Sequence, residues 1–208
     1  GCIDNKSCFD LKKGRHLDNG HTVKAFWMEY LVACMTGNEK LKEFAKHGML
    51  TTLQSAQTDE HTNWYGDLLK KDASWWEYAE LDQSALTLAL TGDYELQDTL
   101  RPWVNDYVDR QYGELNHFGL KTFFWRNGFH STEHALIGTI LSNAIRANAC
   151  SDDKCRAENR VKLYFAPVNS DDTIFTPYLY SGKIVSVKDR ENVKEVTFEN
   201  IALPVKAY

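Results

Sequence analysis

Two histidines and a carboxylate fall within five positions in Phe129-His130-Ser131-Thr132-Glu133-His134. Spacings of three and four put their side chains on one helical face, at the start of a helix that continues through Ala135 to Leu141. This is the densest set of proton-transfer groups in the chain. Two earlier helix starts carry comparable groups, Asp18-Asn19-Gly20-His21 and Ser74-Trp75-Trp76-Glu77, and the three lie at nearly even intervals. Imidazole takes up and releases a proton near neutral pH, and an indole offers a flat apolar face. The three helix starts are therefore expected to line one pocket where a proton moves on an organic molecule.

The same residues admit a different chemistry. His130, Glu133 and His134 fit H-x-x-E-H, the zinc-peptidase arrangement of two histidine ligands and a glutamate base. That reading needs a third ligand from an acid such as Glu195 or Glu199, and it leaves the paired tryptophans without a role. A glycosidase would need an acid and base pair that Glu77, Glu80 and Glu133 do not make evident. Adjacent helical residues point about 100° apart, so only one of Trp75 and Trp76 is expected to face the cleft. His134 suits packing behind the site, and His61 with Trp64 suits a loop reaching over it. His16, His47 and His117 read as surface.

The groups have to be held by elements whose apolar pattern runs along the whole chain. The 208 residues, 43% hydrophobic and 12% aromatic, suffice for one substantial core, with a change of texture near residue 150. A formal charge of −5 without clustered Lys and Arg excludes a nucleic-acid surface, and no apolar run is long enough to cross a bilayer. Residues 1–18 read as irregular entry. Val23, Phe26, Trp27, Tyr30, Leu31 and Cys34 mark a first helix that Thr36-Gly37-Asn38 ends, and a second runs from Leu41 to near Gln57. Residues 58–74, of mixed polarity with Trp64, Tyr65 and Gly66, read as a loop with room for a short strand. Residues 75–90 form a helix broken by Thr91-Gly92-Asp93, and Leu96, Leu100, Trp103, Val104 and Tyr107 mark its returning partner.

Matching breakers between paired helices are the mark of tandem αα-hairpins, and the third unit, opening at His130, has no returning helix. After Cys155 the period changes to strands, expected at 161–166, 174–180, 184–187 and 193–201 with Ser181-Gly182-Lys183 as a hairpin turn. The expected fold is mainly α, an open array of hairpins over residues 1–155 with an antiparallel β segment over 156–208 packed on it. Cys2 with Cys8 and Cys150 with Cys155 suit two local disulfides and an oxidising, extracytoplasmic compartment; free thiols in a cytoplasmic enzyme are the equal alternative.

Asp18-Asn19-Gly20-His21, Trp27, Trp75-Trp76 with Glu80, and Gly128-Phe129-His130 resemble the C-terminal half of the N-acylglucosamine 2-epimerase superfamily, which includes cellobiose 2-epimerase and mannose isomerase. Leu163-Tyr164-Phe165-Ala166 is similar to the tail of some bacterial members, and the resemblance spans residues 15–170. Where the family usually has glutamate three residues after the first histidine, this sequence has Lys24.

The resemblance implies part of an (α/α)6 barrel, to be completed by an N-terminal half or a second chain. It also implies cofactor-free, metal-free epimerisation or isomerisation of a mono- or disaccharide at C2 of its reducing end. His21 and His130 would be the proton carriers across an enediol(ate), with Glu133 orienting His130. Trp27, Trp75, Trp76, Glu80, His61 and His134 would hold the sugar. Because the absent half would supply an arginine and another histidine, the chain alone is expected not to turn over a sugar, and a non-catalytic carbohydrate-binding fragment is the third class of function.

Overall fold

The computed structural model describes residues 18–58, 63–97, 100–113, 115–116, 129–166 and 174–205. Cys2, Cys8, His16, His61, His117 and Gly128 lie outside the described residues.

Local signals set the helix ends. Asp18 caps α1 (Asn19–Thr36), its carboxylate accepting the backbone N–H of His21 at 2.6 Å. Gly37 closes α1 in the left-handed region at φ 69°, which a glycine adopts without penalty, and Asn38 at once caps α2 (Glu39–Ala56). The expected breaker thus ends one helix and starts the next, folding α2 back on α1. A capping box starts α3 (Trp75–Leu90): the Ser74 N–H and hydroxyl both donate to Glu77 Oε2, at 2.8 and 2.7 Å. Gly92, at φ 78°, follows its end. The returning helix α4 (Leu100–Tyr107) is shorter than the apolar pattern suggests, and Leu96 lies ahead of it on the surface.

α3 packs between α1 and α5 (Phe129–Ala149), with α4 also against it. Its buried face carries Leu81 and Leu88, both fully buried and each contributing about 1.5–3 kcal/mol. Polar residues are buried with them, and other elements bond several of these. Thr87 takes the Trp27 indole N–H of α1 at 2.8 Å and lies 2.8 Å from the Tyr180 hydroxyl. Asp82 takes the Trp64 indole N–H at 2.8 Å. The Trp103 indole of α4 donates to the Trp75 carbonyl at 3.1 Å.

After α5 a short helix, α6 (Asp153–Glu158), is tied to its end by a Cys150–Cys155 disulfide. Three antiparallel strands follow, β1 (Val161–Phe165), β2 (Ser181–Arg190) and β3 (Val193–Ala202), in the order β1-β3-β2, and β1 and β3 pack on α5. The chain is thus mainly helical with a small C-terminal antiparallel sheet, as its texture indicates. No helix among the described residues is long and apolar enough to cross a membrane.

Two expectations about the sheet are corrected. Residues 174–180 form no strand: Pro177 lacks a ladder donor, and Tyr178 turns the chain at φ 61°. Ser181-Gly182-Lys183 is not the hairpin turn but the start of β2, and the turn falls at Glu191 and Asn192, with Glu191 at φ 48°. Gly182 is there for packing. A Cβ on it would meet Ile201 Cδ1 at 2.8 Å and Pro177 Cγ at 3.1 Å.

Candidate functional site

The starts of α1, α3 and α5 come together, and Trp76 is their common point. Its ring centre lies 4.7 Å from that of His21 and 5.6 Å from that of His130. Gly20 permits this approach, since a Cβ there would meet Trp76 Cζ3 at 2.7 Å. The segment after α2 anchors the same corner. The Asn19 backbone N–H donates to the Gly66 carbonyl at 2.7 Å, and the Asn19 amide to the Tyr65 carbonyl at 2.8 Å.

Each imidazole is held through Nδ1 by a carboxylate. His21 Nδ1 lies 2.9 Å from Asp18 Oδ1, and His130 Nδ1 lies 2.6 Å from Glu80 Oε1. An ionised carboxylate only accepts, so Nδ1 carries a proton, and in the neutral imidazole Nε2 keeps the lone pair. Among the described residues neither Nε2 has a hydrogen-bond partner. The His21 side chain is 77% exposed and that of His130 25% exposed.

This pairing differs from the expected one. Glu133 does not hold His130, and His21 finds its acid one turn back at Asp18. Glu133 instead joins Glu80 around Lys24. Lys24 Nζ lies 3.0 Å from Glu80 Oε2, bonds Glu133 Oε2 closely, and sits 4.3 Å from the centre of the Trp27 ring. Gln83 donates to Glu80 and, at 3.4 Å, to Glu133. The Tyr178 hydroxyl donates to Glu133 Oε1 at 2.9 Å. Burial, with the Glu133 bond and charge next, pushes the Tyr178 phenol up to about 12, so it remains a donor. Glu80 and Glu133 are thus a convergent carboxylate pair that the linear pattern does not reveal. They lie beneath the mouth at 1% and 7% exposure, with a lysine between them.

The paired tryptophans divide as helical geometry requires. Trp75 is core at 2% exposure, whereas Trp76 is half-buried beside both histidines. Trp27, 1% exposed with its indole N–H on Thr87, is packing beneath Lys24. His134 lies behind the mouth, 2% exposed, its Nε2 3.2 Å from Asp82 Oδ2 and its ring centre 4.4 Å from that of Trp103. His61 is outside the described residues. The three H-x-x-E-H residues go to different partners, His130 to Glu80, Glu133 to Lys24 and Tyr178, and His134 to Asp82. Among the described residues no three His, Cys, Asp or Glu side chains converge as a metal site.

Lys24, Gln83 and Tyr178 were not anticipated as site residues. Lys24 and Gln83 each lie three residues after a candidate, His21 and Glu80, which is the only trace of their place in the sequence. Tyr178 leaves none. No protein-family model, curated protein or solved structure matches the chain.

Proposed function

We propose that the mouth shared by α1, α3 and α5 moves a proton at C2 of a reducing-end sugar, and that the helical layer is part of an (α/α)6 barrel of the N-acylglucosamine 2-epimerase type. One observation carries the reading. Two imidazoles beside a single indole are each fixed through Nδ1 by a carboxylate, which leaves Nε2 as the basic atom of both.

In the ring-opened sugar the carbonyl acidifies the C2 hydrogen. His130 Nε2 takes that proton, the electron pair moves into the C1–C2 bond, and the carbonyl oxygen becomes the enediol(ate) oxygen. His21 Nε2, once it has taken a proton from solvent, delivers it to the other face of C2 to give the epimer; delivery to C1, as the C2 hydroxyl gives up its proton, gives the ketose. Trp76 offers its face to the C–H side of the sugar. Glu80 keeps His130 in the basic tautomer, and Lys24 and Gln83, which also bond Glu133, hold Glu80.

Exchange of the C2 hydrogen needs one base, whereas net conversion also needs the rest of the pocket. The chain is therefore incubated in D2O with mannose, glucose, N-acetylglucosamine and cellobiose, and the C2 signal is followed by NMR. Loss of that signal for at least one sugar is expected, with His130→Gln slowing it by about 10²–10⁴-fold. No exchange with any of the four, or binding without exchange, overturns the reading. Net epimer or ketose is expected only when an N-terminal half or a second chain completes the array.

A further inference from the structure

We propose that a cleft on the far side of α3 and α5 is a second binding site, for a small organic anion with a flat apolar body. The cleft has a volume of about 540 Å³, within the range that encloses small molecules. The Trp64 and Trp103 indoles help to line it, with Ala85 and Leu86 of α3. It includes none of His21, Trp76 and His130. Asp82 and His134 border it, whereas their helical neighbours Gln83 and Glu133 belong to the mouth, because successive helical residues point about 100° apart.

Charge selects the ligand. The carboxylate in the wall, Asp82, already takes the Trp64 indole N–H and lies against His134 Nε2. Among the described residues the cation at the rim, Arg146, bonds amide oxygens alone, of Asn143 at 2.9 Å and Asn159 at 3.2 Å. Among the described residues no carboxylate pairs with it. A guanidinium in that state is matched to a carboxylate or sulfonate. From His134 to Arg146 the cleft face of α5 runs about 18 Å, which leaves room for an aromatic body between the indoles and the rim.

Two further features point to an occupant. Glycine weakens a helix interior and is ordinarily explained there by close packing. Gly138 has no such reason, because a Cβ on it would meet nothing within 4 Å. It keeps the floor of the cleft low. His134 is buried, and among the described residues its Nδ1 has no hydrogen-bond partner, a capacity in the wall that an N–H or O–H of the occupant would meet.

The probe is 8-anilinonaphthalene-1-sulfonate, a flat apolar anion that fluoresces in apolar sites, with the uncharged N-phenyl-1-naphthylamine as its partner. The full chain is expected to bind the sulfonate at one site. Arg146→Gln should weaken it about tenfold and leave the uncharged amine unchanged. Gly138→Leu should abolish binding of both by filling the floor. Thr139→Phe, at an exposed lining position, does the same from the rim and serves if the leucine variant loses its helical circular dichroism. Binding unaffected by either filling variant overturns the proposal, as does an Arg146→Gln effect equal for the two probes.

Discussion

Glu80 faces His130 with one oxygen, Oε1 at 2.6 Å from Nδ1, and turns the other to Lys24 and Gln83. All three neighbours are donors toward it, and only a carboxylate accepts from all of them. In Glu80→Gln the amide NH2 must face one of these donors. If it faces His130, the imidazole gives up its Nδ1 proton and takes one at Nε2, losing the basic atom at the mouth. The C2 exchange rate should fall by about 10²-fold or more. Side-chain ¹⁵N spectra of His130 check the cause: an Nε2 resonance that stays unprotonated in the variant removes this explanation.

Lys24 carries the charge balance beneath the mouth. Its side chain is 14% exposed, and the two carboxylates it joins are nearly sealed. Lys24→Met leaves both without their cation, which should cost about 3–5 kcal/mol in urea unfolding. Adding Glu133→Gln to that variant should recover part of the loss, because one of the two stranded charges is gone. A second substitution that destabilises further would show that lysine packing, not charge, is what matters.

The adjacent tryptophans should separate stability from binding. Trp75→Ala empties a core position and should cost about 3–5 kcal/mol. Trp76→Ala, at a half-buried position between two histidines, should unfold closer to the parent while losing most of its sugar affinity. Equal unfolding midpoints for the two variants would contradict the division of their roles.

The parts of this arrangement that could be read from the chain are those set by neighbours in sequence. Asp18, Asn38 and Ser74 cap helices because each bonds an N–H three residues on or is bonded in return, and Gly37 and Gly92 end them by accepting positive φ. The split of Trp75 and Trp76 follows from helical rotation alone. Lys24 could not be assigned in that way, since its partners Glu80 and Glu133 reach it only once α1, α3 and α5 are assembled. Gly182 is a related case: its lack of a side chain serves contact with Ile201 and Pro177, and the turn is made by Glu191 and Asn192.

Tyr178 ties the C-terminal region to the helical mouth through its bond to Glu133. It does so from a left-handed backbone at φ 61°, which a tyrosine adopts only when its surroundings hold it there. Tyr178→Phe keeps the ring and removes the donor, and a hydrogen bond to a charged group is worth about 1.5–3 kcal/mol. The variant should lose stability in that range and slow C2 exchange less than Glu80→Gln does, because Glu133 reaches His130 indirectly, through Lys24 or Gln83 and then Glu80. A larger effect on exchange than that of Glu80→Gln would place Tyr178 at the sugar itself.

Glu77 gives the pH dependence its sign. Burial holds its carboxyl above the usual carboxylate range, outweighing the opposing pull of the two Ser74 hydrogen bonds. A folded-state pKa above the unfolded one means that the folded chain binds the proton more tightly. Its contribution to stability is therefore complete below the unfolded pKa and is lost as pH rises through the folded value. Glu77→Gln removes this titration but keeps a side chain able to accept from Ser74. The stability of the parent relative to Glu77→Gln, measured by denaturant unfolding from mildly acid to neutral pH, should thus be greatest at the acid end and decline toward neutrality. A difference that grows with pH would mean that the Ser74 bonds to the ionised carboxylate outweigh its burial.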